Sequence, residues 1–275
     1  MKHIPRKRFG QHFLTDEVII HAIVDAIRPR PDEILVEIGP GLGALTGPLL
    51  DRIPHLDVVE LDRDIITHLK KTYSSDRLTI HEADALKFDF TDVVARAERH
   101  RQPGTKGEKK RFRICGNLPY NISSPLLFHL IDHVDAIADM TFMLQKEVVD
   151  RMVAAPSTSA YGRLTVMLQR RLHLEALFDV PPEAFDPPPK VNSAIVRMIP
   201  KPVSQVPVLL DKAFERVVAA AFSQRRKTLR NTLAGTINAE ELIKLGIDPG
   251  LRAQNLSVSQ YELITRHVTR PVGSP

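Results

Sequence analysis

At 275 residues, 43% of them hydrophobic, the chain has material for one large or two modest domains with a core, and no apolar run approaches the length of a membrane span. A single cysteine excludes an internal disulfide, and the basic start MKHIPRKRFGQHFL has neither an apolar stretch nor a small-residue cleavage site, so no signal peptide is expected and a reducing cytoplasm is. The formal net charge of +5 is unevenly placed: residues 96–113 hold eight Lys/Arg against two Glu, and Arg6-Lys7-Arg8 and Arg225-Arg226-Lys227 with Arg230 form further clusters, which points to an anionic polymer as partner, most simply nucleic acid.

Helical spacing of Val18, Ile19, Ala22, Ile23, Ala26 and Ile27 predicts a first helix over 17–28. Strands at 34–38, 56–61, 78–81 and 112–115 then alternate with helices at 44–53, 64–72 and 92–100. A helix at 124–133 and a strand at 140–144 follow. Two more helical stretches lead to apolar strands at 174–178 and 194–199, which suit an antiparallel pair at the sheet edge. This alternation predicts a parallel sheet with helices on both faces. Cys115 falls inside a strand, where a buried core thiol is the expectation. The eleven histidines show no ligand spacing, so no metal site is expected.

Near residue 200 the proline-rich IPKPVSQVP reads as a linker, and beyond it only helical patterns appear, at 208–222, 227–234, 239–245 and 258–268. The expected division is an α/β domain over 1–200 and a small all-α domain over 201–275. Residues 102–110, rich in Gly, Lys and Pro, read as a flexible loop.

The strand over 34–38 runs into Glu37-Ile38-Gly39-Pro40-Gly41-Leu42-Gly43-Ala44. Glycines here let the backbone turn sharply and a ligand approach the main chain. The string matches the dinucleotide fingerprint, with Ala44 in the third glycine position, and Glu60 lies at the end of the next strand. A nicotinamide oxidoreductase is thus a competing reading. Against it stand Glu37, two residues before the first glycine, and Asp84, at the end of the third strand, placed for an adenine amino group or as a helix cap. Three carboxylates around a nucleoside suit a cationic cofactor without phosphates better than a pyrophosphate.

The strand over 112–115 ends in Gly116-Asn117-Leu118-Pro119-Tyr120, facing the same crevice. With KRFGQHFL, VEIGPGLGALT, ELDRD, GNLPYNISSPLLFHL, MLQKEVVDR, AYGRLTVM, PPEAFDPPPKVNSAIVR and FSQRRKTLRNTL, the chain resembles the KsgA family of small-subunit rRNA adenine dimethyltransferases over nearly its whole length. The resemblance implies a Rossmann-like class I methyltransferase sheet with a helical C-terminal domain, and S-adenosylmethionine as cofactor. It implies, as substrate, two adjacent adenosines in a hairpin near the 3′ end of small-subunit rRNA, each dimethylated on N6. The expected enzyme is cytoplasmic and monomeric, free of metal and membrane, with the small ribosomal subunit as partner.

The adenine amine is a poor nucleophile because its lone pair is delocalised into the ring. Acceptors that hold its hydrogens favour a pyramidal nitrogen, and the Asn117 side-chain oxygen and the Leu118 carbonyl are the candidates. Pro119 stiffens the turn. Tyr120 offers a face to the flipped base, a stack worth about 1–3 kcal/mol. The resemblance places Phe185 on the other side of that base; the alternative is a core aromatic before a proline-rich turn. It adds His12 and Leu14 as cofactor contacts to Glu37, Gly39, Gly41, Glu60 and Asp84, with Asn117 also expected beside the cofactor. Many members of the family carry Asn at position 12, which leaves a backbone contact for His12. Arg225, Arg226, Lys227 and Arg230 are expected on one rRNA-facing helix. The segment 96–113 is longer and more basic than expected for the family. A resistance-type dimethylase of large-subunit rRNA is the nearest rival; DPPPKV and QRRKTLRN argue against it.

Overall fold

The computed structural model describes residues 12–93, 95, 111–119, 121–202 and 211–269. The expectations for Arg6-Lys7-Arg8, for Tyr120 and for the loop 102–110 lie outside these residues.

Two compact units divide the chain. The first comprises residues up to Val149 together with Leu174–Pro200, and the second comprises Asp150–His173 and the residues from Lys201 onward. The division expected at residue 200 therefore differs from the one found: residues 150–173 group with the C-terminal helices.

In the first unit, a seven-stranded sheet has the order β4-β3-β2-β5-β6-β9-β7. These strands are β2 (Ile34–Ile38), β3 (Leu56–Glu60), β4 (Leu78–Glu82), β5 (Phe112–Asn117), β6 (Ile137–Gln145), β7 (Leu172–Val180) and β9 (Ser193–Pro200). β2 through β6 pair in parallel, and β9 joins β6 antiparallel. Their near-continuous apolar runs, such as Ile34-Leu35-Val36 and Phe142-Met143-Leu144, are what a sheet buried on both faces requires. Cys115 is fully buried in β5, and burial pushes its thiol well above the ordinary value, with the Glu37 charge adding to the rise. Helix α1 (Glu17–Ile27) precedes β2, and α2 (Thr46–Leu50), α3 (Arg63–Thr72) and α4 (Ser123–Asp132) connect β2 to β3, β3 to β4 and β5 to β6.

Local chemistry explains the boundaries. The Asp16 carboxylate accepts from the Ile19 amide at 3.1 Å and starts α1. Asp62 does the same for α3, accepting from Asp64 N at 2.9 Å. At the other end of α1, Arg28 takes a left-handed conformation, φ 52°. The guanidinium of Arg113 caps this end: it donates to the carbonyls of Ile27 and Arg28 and pairs with Glu33 and Asp139, each at 2.8 Å. Arg113 therefore belongs to the interior and is subtracted from the basic segment 96–113.

A separate two-stranded sheet joins β1 (Phe13–Leu14) to β8 (Phe185–Asp186), with Leu14 opposite Phe185. Thr15 N donates to the Ala184 carbonyl at 2.9 Å, and His12 Nδ1 lies 2.7 Å from the Pro187 carbonyl oxygen.

The second unit holds α6 (Arg163–Arg171), α7 (Asp211–Ala221), α8 (Leu229–Thr232), α9 (Ala239–Lys244) and α10 (Val258–Thr269); α5 (Lys146–Val153) leads into it. Phe214, Val218, Leu229, Leu233, Tyr261 and Ile264 form its core. Both buried tyrosines satisfy their hydroxyls, Tyr161 on the Leu256 carbonyl at 2.8 Å and Tyr261 on the Ala253 carbonyl at 2.7 Å. The basic helix expected around Arg225–Arg230 is not continuous. Residues 222–227 form turns, Thr228 is extended and bridges to Arg252, and α8 begins only at Leu229. The amides of Leu229 and Arg230 are taken by the carbonyls of Leu251 and Pro249, so tertiary pairing displaces the helical ladder. Arg226 and Arg230 are both exposed but do not share a helix face.

Candidate active site

β2 and β5 are parallel neighbours whose onward connections lead to opposite sides of the sheet, β2 to β3 and β5 to β6. The crevice outside their carboxyl ends is the topological switch point, where open α/β sheets bind ligands. Two loops border it. After β2, the turn passes through Gly39 at φ +66°, Gly41 at +55° and Gly43 at +90°, a region that L side chains rarely adopt. After β5 comes Asn117-Leu118-Pro119. The loops abut: a methyl on Gly39 would lie 3.7 Å from the Asn117 carbonyl oxygen and 4.0 Å from Pro119 Cδ. A Cβ on Gly116 would meet the Ile38 carbonyl oxygen at 2.3 Å, so β2 and β5 approach more closely than any side chain there permits.

The carboxylates gather on this edge. Glu37 is buried, and its Oε2 accepts from the Thr46 hydroxyl at 2.7 Å. Burial raises its carboxyl to about 7; the Thr46 bond opposes the rise and the Glu60 charge adds to it. Glu60 ends β3, and its Oε1 accepts from the amides of Leu61 and Asp62, each at 2.8 Å. Its carboxyl is also raised, chiefly by burial, against those two bonds. Asp84 Oδ1 accepts from Leu86 N at 3.0 Å, so one of its oxygens closes the turn after β4.

Asn117 is half-buried at the end of β5, level with Met143 of β6. The Leu118 side chain is buried, and its amide donates to the Met143 carbonyl at 3.2 Å. Phe185 differs from an open stacking ring. It is 3% exposed and packs in the apolar cluster of Leu14, Ile20, Val180 and Ala184. The alternative weighed for it, a core aromatic before a proline-rich turn, describes this conformation.

Three contributors were not identified from the sequence. Thr46 bonds Glu37 from the first turn of α2; its only signal was a hydroxyl one turn beyond the glycines. The Phe13 ring lies 3.7 Å from where a Cβ on Gly41 would stand. Tyr73 puts its hydroxyl under Gly43 and Gly47.

Residues 2–269 match the sequence pattern of the family described as ribosomal RNA adenine dimethylase. The chain belongs to that family. This dimethylase is 60% identical, over 97% of its length and 98% of the relative's, to the ribosomal RNA small subunit methyltransferase A of Thiobacillus denitrificans. It is 55% identical to the protein of that name from Chromobacterium violaceum, over 97% of each chain. Among solved structures, a dimethyladenosine transferase from Plasmodium falciparum superposes with a TM-score of 0.75 at 27% identity, covering 92% of this chain and 96% of that one. The 23S rRNA methyltransferase ErmE superposes with a TM-score of 0.68 at 24% identity, covering 94% and 100%, a likeness of fold.

The dimethylase is an S-adenosylmethionine-dependent enzyme acting on ribosomal RNA, built on the class I methyltransferase sheet. The crevice fits that donor. Left-handed glycines leave the main chain of the first loop bare, and the buried carboxyl of Glu37, raised to about 7, is one that a cation would return to its charged form. Among the described residues, no helix is long and apolar enough to cross a membrane.

Proposed function

We propose that this dimethylase transfers methyl groups to N6 of two adjacent adenosines in the hairpin near the 3′ end of small-subunit rRNA, giving N6,N6-dimethyladenosines as the subunit matures in the cytoplasm. The observation that carries this reading is the full-length likeness to relatives named for the small subunit, 60% identical for the Thiobacillus denitrificans protein. The likeness to the 23S enzyme is one of fold and does not favour the large subunit. Tritium transfer from S-adenosylmethionine to small subunits lacking the modification, followed by nucleoside analysis, tests it: label in N6,N6-dimethyladenosine is expected, and label confined to large subunits overturns it.

When bound, S-adenosylmethionine supplies an electrophilic methyl. The chain's own residues bind and orient. The Glu60 carboxylate takes the ribose hydroxyls, Asp84 offers its remaining oxygen to the adenine amine, and the main chain at Gly39 and Gly41 lies along the donor. His12 and Leu14 contact it from the β1–β8 sheet. The Asn117 amide oxygen and the Leu118 carbonyl accept hydrogen bonds from the target amine and shape its lone pair. Pro119 holds their turn. Tyr120 stacks on the extruded base, and Phe185 reaches the other face only if it leaves the core position described above. No strong base is required, because the alkylated amine is a cationic acid that loses its proton readily. Positioning and electrostatics supply the rate.

Glu60→Gln is expected to weaken cofactor binding by about 1.5–3 kcal/mol, the worth of a charged acceptor. Calorimetry with S-adenosylmethionine reads this directly, and unchanged affinity removes Glu60 from the cofactor site.

Arg225, Arg226, Lys227 and Arg230 grip rRNA phosphates without reading bases. What supports this is their exposure on turns and at the start of α8, around a backbone held by Leu251 and Pro249. Changing Arg226 and Arg230 together to Ala is expected to flatten the plot of log affinity against log salt by about 0.7–0.9 for each phosphate no longer neutralised. The same change at Lys109 and Lys110 is expected to do less. An unaltered slope in the first variant with a large drop in the second reverses the assignment.

A further inference from the structure

Tyr73 ends α3, with its amide on the Leu69 carbonyl at 2.9 Å and its ring against the core. Its hydroxyl points beneath the glycine-rich turn. A Cβ built on Gly43 would lie 2.9 Å from it, and one on Gly47 would lie 3.2 Å away. These two glycines are tied to each other, since Gly47 N donates to the Gly43 carbonyl at 3.2 Å, and Thr46 between them holds Glu37. Burial raises the Tyr73 phenol above its ordinary value, and the charges of Glu37 and Asp51 add to the rise.

We propose that Tyr73 is a positioning residue for cofactor binding: its hydroxyl props the turn from Gly43 to Gly47 from below and is the reason Gly47 carries no side chain. The inference rests on the reading that Glu37, held by Thr46 within this turn, and the glycines that lead into it bind the cofactor. Gly43 has a second reason to be glycine, its φ of +90°, but Gly47 has none. Gly47 sits in α2, where replacing glycine by alanine ordinarily stabilises a helix by about 0.5–1 kcal/mol. At 3.2 Å a methyl on Gly47 is tight against the phenol oxygen, so ring or turn must give by a few tenths of an ångström; on this proposal it is the turn that gives, and its backbone is no longer presented as cofactor binding needs. The phenol also borders a cavity between α2 and α3, walled by Asp51, Ser74 and Arg77, into which a loosely held ring would swing.

The test is a cycle of Gly47→Ala, Tyr73→Phe and the double variant. Its readouts are calorimetry with S-adenosylhomocysteine, the KM for S-adenosylmethionine, kcat and melting temperature. Gly47→Ala is expected to weaken S-adenosylhomocysteine and raise KM about tenfold, at unchanged kcat and with no loss of melting temperature. In the Tyr73→Phe background, which removes the crowding oxygen, the same substitution is expected to change affinity less than about twofold. Unchanged affinity in Gly47→Ala means that the ring yields into the cavity, and it overturns the proposal. So does an equal loss in both backgrounds. A wild-type protein that binds S-adenosylhomocysteine but does not methylate small subunits defeats the functional reading, while the binding cycle still decides the role of Tyr73.

Discussion

Asn117→Ala is expected to lose about a thousandfold or more in methyl transfer, the scale on which a single preorganised polar group acts in a transition state. Its affinity for S-adenosylmethionine is expected to stay within a few fold of wild type. The asymmetry follows from the work assigned to the amide. In the proposed mechanism the amide acts on the amine of the substrate base, while the glycine turn and the carboxylates at the ends of β2, β3 and β4 hold the cofactor. The fold should not suffer, because the side chain is half-buried at a strand end and the backbone pairing with Met143 is untouched. Single-turnover tritium transfer with saturating cofactor, beside calorimetry, separates the two quantities. Near-normal turnover would remove Asn117 from the chemistry.

Gly116→Ala acts by a different route and is expected to be as severe. Its methyl would lie 2.3 Å from the Ile38 carbonyl oxygen, a backbone atom, where real Cβ atoms essentially never come within 3.0 Å. No side chain swings aside to relieve this. β2 and β5 must part at the end where the crevice lies, in a sheet whose interior is close-packed. A loss of about 4 kcal/mol, seen as a melting temperature lowered by roughly 10 °C, is expected. A variant that melts with the wild type would show that the two strands separate without cost.

The parallel strands were legible because each is a short apolar run bounded by polar turns: β2 was expected over 34–38 and is found there. The glycine turn and the place of Glu60 were legible from the fingerprint, and the places of Glu37 and Asp84 from the ends of the strands that carry them. What the sequence hid was tertiary. Nothing in AYGRLTVM says whether Tyr161 and Val166 face the sheet or the C-terminal helices, and they pack in the helical core. The run SQRRKTLRN carries helical spacing, yet the carbonyls of Pro249 and Leu251, some twenty residues later, capture its amides. Arg113 counted as surface charge until its guanidinium was found capping α1. The burial of Phe185, 3% exposed among Leu14, Val180 and Ala184, likewise had no signal in EAFDPPP.

The discontinuity of the helical unit bears on how the protein is made. Residues 150–173 leave the ribosome well before α7 to α10, the helices that complete their apolar core. From His173 to Thr269, at synthesis rates of about 5–20 residues per second, they wait roughly 5–20 s with Tyr161 and Val166 uncovered. During that interval apolar surface that the finished enzyme covers stands open to water on the nascent chain. It also means that stopping synthesis at residue 200 yields a sheet carrying an unpaired helical arm instead of a self-sufficient catalytic half.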